Sequence, residues 1–92
     1  MGNREEAKAF SRKVAKVFGE ELRWRRRAQN MSQLDIAQFI HKSQQVVNAY
    51  EKGKALPNLA TAHQIALLLG ATLDEMTQEK NGNDRSRISD KL

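Results

Sequence analysis

Between residues 32 and 53 the chain reads as two short helices with almost nothing between them. Ser32 stands ahead of Gln33-Leu34-Asp35. A hydroxyl there can accept from a free backbone N–H, and an acid in the first turn suits the helix dipole. Leu34, Ala37 and Ile40 recur at helical spacing, widened by Ile36 and Phe39, so a helix with this inward stripe is expected from Gln33 to near Ile40. Ser43 offers a second cap, for Gln44 to Glu51, with Val46, Val47 and Tyr50 as the apolar side. Gly53 follows where a helix end calls for positive φ. Helices this short do not persist alone in water. They must be packed on a larger framework, which the rest of the chain has to supply.

Downstream, Lys54 to Pro57 reads as a loop and Asn58 as the cap of another helix. Its stripe is Leu59, Ala62, Ile65, Ala66 and Leu69, and Gly70 ends it. Thr72 with Glu75 three residues on is a capping box for one last turn, Leu73 to Met76. Upstream, Glu5 to Gln29 has no Pro and one Gly among many good helix formers. It carries two stripes, Ala15-Phe18-Leu22-Arg26 and Phe10-Val14-Val17-Glu21-Trp24-Ala28. Two stripes imply burial on two sides, or one side given to another chain. Gly19 leaves open whether this is one helix or two. No segment alternates with period two, so an all-α fold is expected.

Composition narrows the chemistry. The chain has 92 residues, 39% hydrophobic, enough for one modest core. It has no Cys, which removes disulfides, thiolate metal sites and thiol catalysis. The apolar run Ile65 to Leu69 is too short to cross a bilayer, and MGNREEAKAF lacks a signal-peptide core. A cytoplasmic protein without membrane contact is expected. Net charge is +5, and the excess is central: Arg12 to Lys54 holds ten basic residues against four acidic ones. Such a surface attracts polyanions.

Two eight-residue helices joined by about three residues have the spacing of a helix-turn-helix. The first fixes the angle of the second, whose leading end is narrow enough for a DNA major groove. That end carries Gln44 and Gln45, with Asn48 one turn on. A primary amide is donor and acceptor at once, and so matches the N6 and N7 edge of adenine.

These residues resemble a known family, the lambda repressor-like or Cro/repressor-type helix-turn-helix domain. The resemblance runs from Gly19 to Met76, 58 of 92 residues, without gaps in register. It rests on Leu22, Arg26, Met31-Ser32-Gln33, Ile36-Ala37, Ser43, Val47, Glu51, Gly53, Pro57, Ile65-Ala66, Leu69-Gly70, Leu73 and Met76. The segment QVVNAYEKGKALPN is also similar to the corresponding part of multiprotein-bridging factors.

The polar run from Gln78, without a helical stripe, reads as a flexible tail over 78–92, and residues 1–13 as an N-terminal helical extension. The resemblance implies a five-helix DNA-binding domain over the residues between, 14–77. It implies base reading by Gln44, Gln45 and Asn48. Phosphate contacts are expected from Gln33, Lys42, Ser43, Lys52, Lys54 and Asn58, with Gln33 also buttressing the recognition helix. Arg26 and Glu51 match a structural ion pair. Arg23, Arg25 and Arg27 are assigned to a solvated face. His41 stands where the family usually has Gly, and must adopt positive φ at some cost.

The expected function is a sequence-specific double-stranded DNA-binding transcriptional regulator, a homodimeric repressor, with Phe10, Val17 and Trp24 as candidate dimer contacts. The rival is a protein-bridging co-regulator or the antitoxin of a toxin–antitoxin pair, whose partner would be a toxin or the transcription machinery. An enzyme is not expected. His41 and His63 are isolated, the serines lack a base beside them, and no Gly-rich phosphate loop or metal-ligand spacing occurs. No cofactor and no metal are implied.

Overall fold

The computed structural model describes residues 4–79, and these are helical throughout apart from turns and loops. Five helices follow in order: α1 Arg4–Ala28, α2 Gln33–Ile40, α3 Gln44–Glu51, α4 Leu59–Leu69 and α5 Leu73–Thr77. The tail expected over 78–92 lies outside the described residues from position 80 on.

The cap signals act where the sequence puts them. Ser32 Oγ accepts from Asp35 N at 3.0 Å while Asp35 returns the bond to Ser32 N, closing a capping box. Ser43, Asn58 and Thr72 cap α3, α4 and α5. The C-termini share one device. After α1, α2, α3 and α4 a residue at positive φ turns the chain: Asn30, His41, Gly53 and Gly70. The next N–H then reaches back five residues, as from Lys42 to the Ala37 carbonyl at 3.0 Å. His41 adopts φ 59, the value the turn demands of whatever residue occupies it.

α1 is one helix, unbroken at Gly19. That glycine is a crossing point rather than a break. A Cβ there would sit 2.3 Å from the Tyr50 carbonyl oxygen and 2.8 Å from that of Glu51. Only a residue without a side chain lets α1 pass so closely over the end of α3.

Phe18, Leu22, Ile36, Val47, Ile65 and Met76 are fully buried and draw on all five helices. Two expected stripes need correction. Leu34 and Phe39 are 48% and 46% exposed, because the face of α2 that meets the core is Ile36, Ala37 and Ile40. At 100° per residue, Leu34 and Phe39 lie about 110° to either side of it. Leu59, at 75% exposed, opens α4 before the helix reaches the core.

The outer stripe of α1 is divided. Residues 4–13 are all exposed. Val14 and Val17 are half-buried and Glu21 is buried, its carboxylate bonded to Arg25 at 3.0 Å. Phe10, Val14 and Val17 line a shallow groove with Thr77 and Glu79, whereas Trp24 borders a separate hollow with Arg23 and Arg27.

Candidate nucleic-acid interface

α3 is held from below by the core and from the side by a polar network. Val47 and Tyr50 are buried, and Val46 packs partly against them. Burial raises the Tyr50 hydroxyl above its ordinary pKa. On the flank, Arg26 Nε donates to Glu51 Oε2 at 2.5 Å and its NH2 group to Glu51 Oε1 at 3.1 Å. The remaining arm of the guanidinium donates to the Met31 carbonyl at 2.8 Å. The bond to Glu51 and its charge raise the Arg26 pKa against the opposing effect of burial. Arg26 therefore ties the end of α1 to the end of α3 and to the turn before α2.

Gln33, the first residue of α2, completes the network. Its side-chain amide donates to Glu51 Oε1 and to Asn48 Oδ1, each at 3.1 Å. The two helices of the motif are thereby fixed by side-chain bonds as well as by apolar packing. Among the described residues no buried side-chain polar atom lacks a partner.

What remains on the outside is the leading end of α3. Gln44 and Gln45 are exposed, and their side-chain amides have no partner among the described residues. Asn48 is half-buried with its oxygen occupied by Gln33, so its NH2 group is what it can offer a base. Gln33, Gln44, Gln45 and Asn48 border one surface hollow.

The other expected contacts fall into two sets. Lys42, Lys52 and Lys54 are exposed. Ser43 and Asn58 already serve as caps, accepting from Val46 N at 3.2 Å and Thr61 N at 2.8 Å. A phosphate at these two would meet backbone N–H groups or the Asn58 NH2.

Of the three arginines expected on a solvated face, Arg23 and Arg27 are exposed, whereas Arg25 is half-buried and bonded to Glu21. The fold sets Arg23 and Arg27 on the wall of a second cleft, with Gln33, Gln44, Asn48 and Lys52. The only signal in the sequence was the density of arginine itself.

Among the described residues no group of His, Cys, Asp and Glu could hold a metal ion, and no helix is long and apolar enough to cross a membrane.

Comparison with known proteins agrees with this architecture. The helix-turn-helix family matches residues 22–76, from the second half of α1 to α5. Multiprotein-bridging factor 1c of Arabidopsis thaliana is 46% identical over 43 residues, which is 47% of this chain and 29% of that protein. The chain thus spans less than a third of the length of that relative. No solved structure matches the chain significantly. With the matched span, the five-helix order and the paired short helices in agreement, the chain belongs to the helix-turn-helix family, in its lambda repressor-like form.

Proposed function

We propose that the chain is a sequence-specific double-stranded DNA-binding transcriptional regulator that lays α3 in the major groove. The observation that carries this reading is the pairing of a fixed helix with free amides. The Arg26–Glu51–Gln33 network immobilises α3, while Gln44 and Gln45 stand exposed at its leading end. Groups held rigidly lose little entropy on docking. Gln44, Gln45 and Asn48 read base edges in this proposal. Gln33, Lys42, Ser43, Lys52, Lys54 and Asn58 meet the phosphates.

The regulator acts as a homodimeric repressor in this reading. One such domain covers few base pairs, and a two-fold pair would place its recognition helices about 34 Å apart. Phe10, at 68% exposed, and Val17 share the groove beside Thr77 and are the dimer contacts proposed here, with Trp24 beyond them.

Selection of bound duplexes from a random library, with the mass of the complex measured, tests the proposal. Recovery of a palindrome or direct repeat bound by two chains supports it. Recovery of no preferred sequence contradicts it.

The likeness to multiprotein-bridging factor 1c favours one second reading, a co-regulator that joins other proteins. In that case the chain would carry a protein partner, either the transcription machinery or, as an antitoxin, a toxin.

A further inference from the structure

Four arginines crowd the last turns of α1, and the structure divides them into two pairs. Arg26 is spent on Glu51 and the Met31 carbonyl, and Arg25 on Glu21 at 3.0 Å. Arg23 and Arg27 are exposed, and among the described residues their guanidinium groups have no hydrogen-bond or ion-pair partner. Four residues apart, they stack on one face of α1, where like charges repel slightly.

Both line the cleft that Gln33, Gln44 and Asn48 also border, and Lys52 joins them from the C-cap of α3. The one acid on that wall, Glu51, is already neutralised by Arg26. Glu20 lies in the neighbouring hollow with Trp24 and makes no ion pair among the described residues. The cleft is therefore net positive and opens beside the base-facing amides. A planar guanidinium grips two phosphate oxygens at once, and two unrelieved forks at one opening suit a polyanion strand.

We infer that Arg23 and Arg27, with Lys52, form a clamp on the phosphodiester backbone of one DNA strand, flanking the groove that α3 enters. An acidic peptide would be drawn to the same charges. The duplex is favoured because the arginines share their cleft with Gln44 and Asn48, not with the apolar groove at Phe10. The clamp rests on the reading of α3 as the groove-entering helix, and its test keeps the two apart.

Affinity for a duplex recovered by selection is measured over a salt series. The proteins are the unaltered chain, Arg23→Ala/Arg27→Ala, Arg23→Lys/Arg27→Lys, Lys54→Ala, and Arg4→Ala/Lys8→Ala. The last removes equal charge from the exposed outer end of α1. Losing two phosphate contacts should lower the slope of log K against log salt by about 1.8. The lead of the unaltered chain over the double-alanine protein then shrinks about tenfold as salt rises fourfold. The double-lysine protein keeps the slope but binds several-fold more weakly, and base preference is unchanged in both. Arg4→Ala/Lys8→Ala retains the full slope. Thermal melts confirm folding, since exposed unpaired side chains contribute little to stability.

If Arg23→Ala/Arg27→Ala matches the unaltered chain or the Arg4→Ala/Lys8→Ala control while Lys54→Ala loses slope, the clamp is overturned and the α3 reading stands. A loss of slope for Arg23→Lys/Arg27→Lys equal to that of the alanine pair also overturns it. Failure of the unaltered chain to bind any duplex removes both.

Discussion

Arg26 and Glu51 lie 25 positions apart in sequence and meet through two hydrogen bonds where α1 crosses the end of α3. Both are buried, and Gln33 adds a third bond to the same carboxylate. Removing one partner leaves the other charge without compensation in the interior. Glu51→Ala should therefore cost ~3–5 kcal/mol, read as a lower urea midpoint. An apolar replacement of both partners should recover much of that loss. It would still weaken DNA binding, because Gln33 and Asn48 would lose their anchor.

Gly19 offers a test that involves no charge. The new Cβ of Gly19→Ala would press on two carbonyl oxygens of α3, and backbone cannot swing aside as a side chain can. The variant should lose ~1–3 kcal/mol or more by overpacking, despite the better helix propensity of alanine. A stability equal to or above that of the unaltered chain in urea unfolding would show that the crossing is looser than described.

Tyr50 gives the fold an alkaline limit. Burial holds its hydroxyl above the ordinary value of 10.0, so the folded chain keeps a proton that the unfolded chain releases. That contribution is complete below the unfolded pKa and is lost as pH rises through the folded one. Tyr50→Phe should flatten the fall in stability above about pH 10 while leaving neutral pH little changed. Parallel curves for the two proteins would count against the burial argument.

For base reading, Gln44→Ala should cost ~1–3 kcal/mol and relax preference at one position. If that position is an adenine, replacing it with 7-deaza-adenine removes the N7 acceptor. The two changes should then be non-additive in binding measurements, since each removes the same contact.

Lys54→Ala, by contrast, should weaken binding to all duplexes and lower the salt slope by about one. Sequence preferences recovered by selection should be the same as those of the unaltered chain.

The helices were legible because their ends are written in local chemistry. Ser32, Ser43, Asn58 and Thr72 bond within their own turns, so three or four neighbouring residues decide each start. His41 and Gly53 likewise mark their turns by local backbone geometry. Asn30 carries the same positive φ and escaped notice, since an Asn between Gln29 and Met31 has no distinctive surroundings. What failed to show was whatever depends on the far side of the fold. Gly19 left open whether α1 is one helix or two, because its reason, the α3 carbonyls, lies more than thirty residues on. Leu34 and Phe39 looked inward because an eight-residue helix offers too few turns to define a face. The site follows the same division. The free amides of Gln44 and Gln45 were readable from position on α3. The place of Arg23 and Arg27 on the cleft wall required the α1–α3 crossing.

The most direct test of the account follows backbone amide signals by NMR as a selected duplex is added. The predicted result is that the largest shifts fall on Gln33, Lys42 to Gln45 and Asn48, with smaller ones at Lys52 and Lys54. Shifts confined to the α1 groove at Phe10 and Val17, or to the outer face of α4, with the start of α3 unmoved, would contradict it.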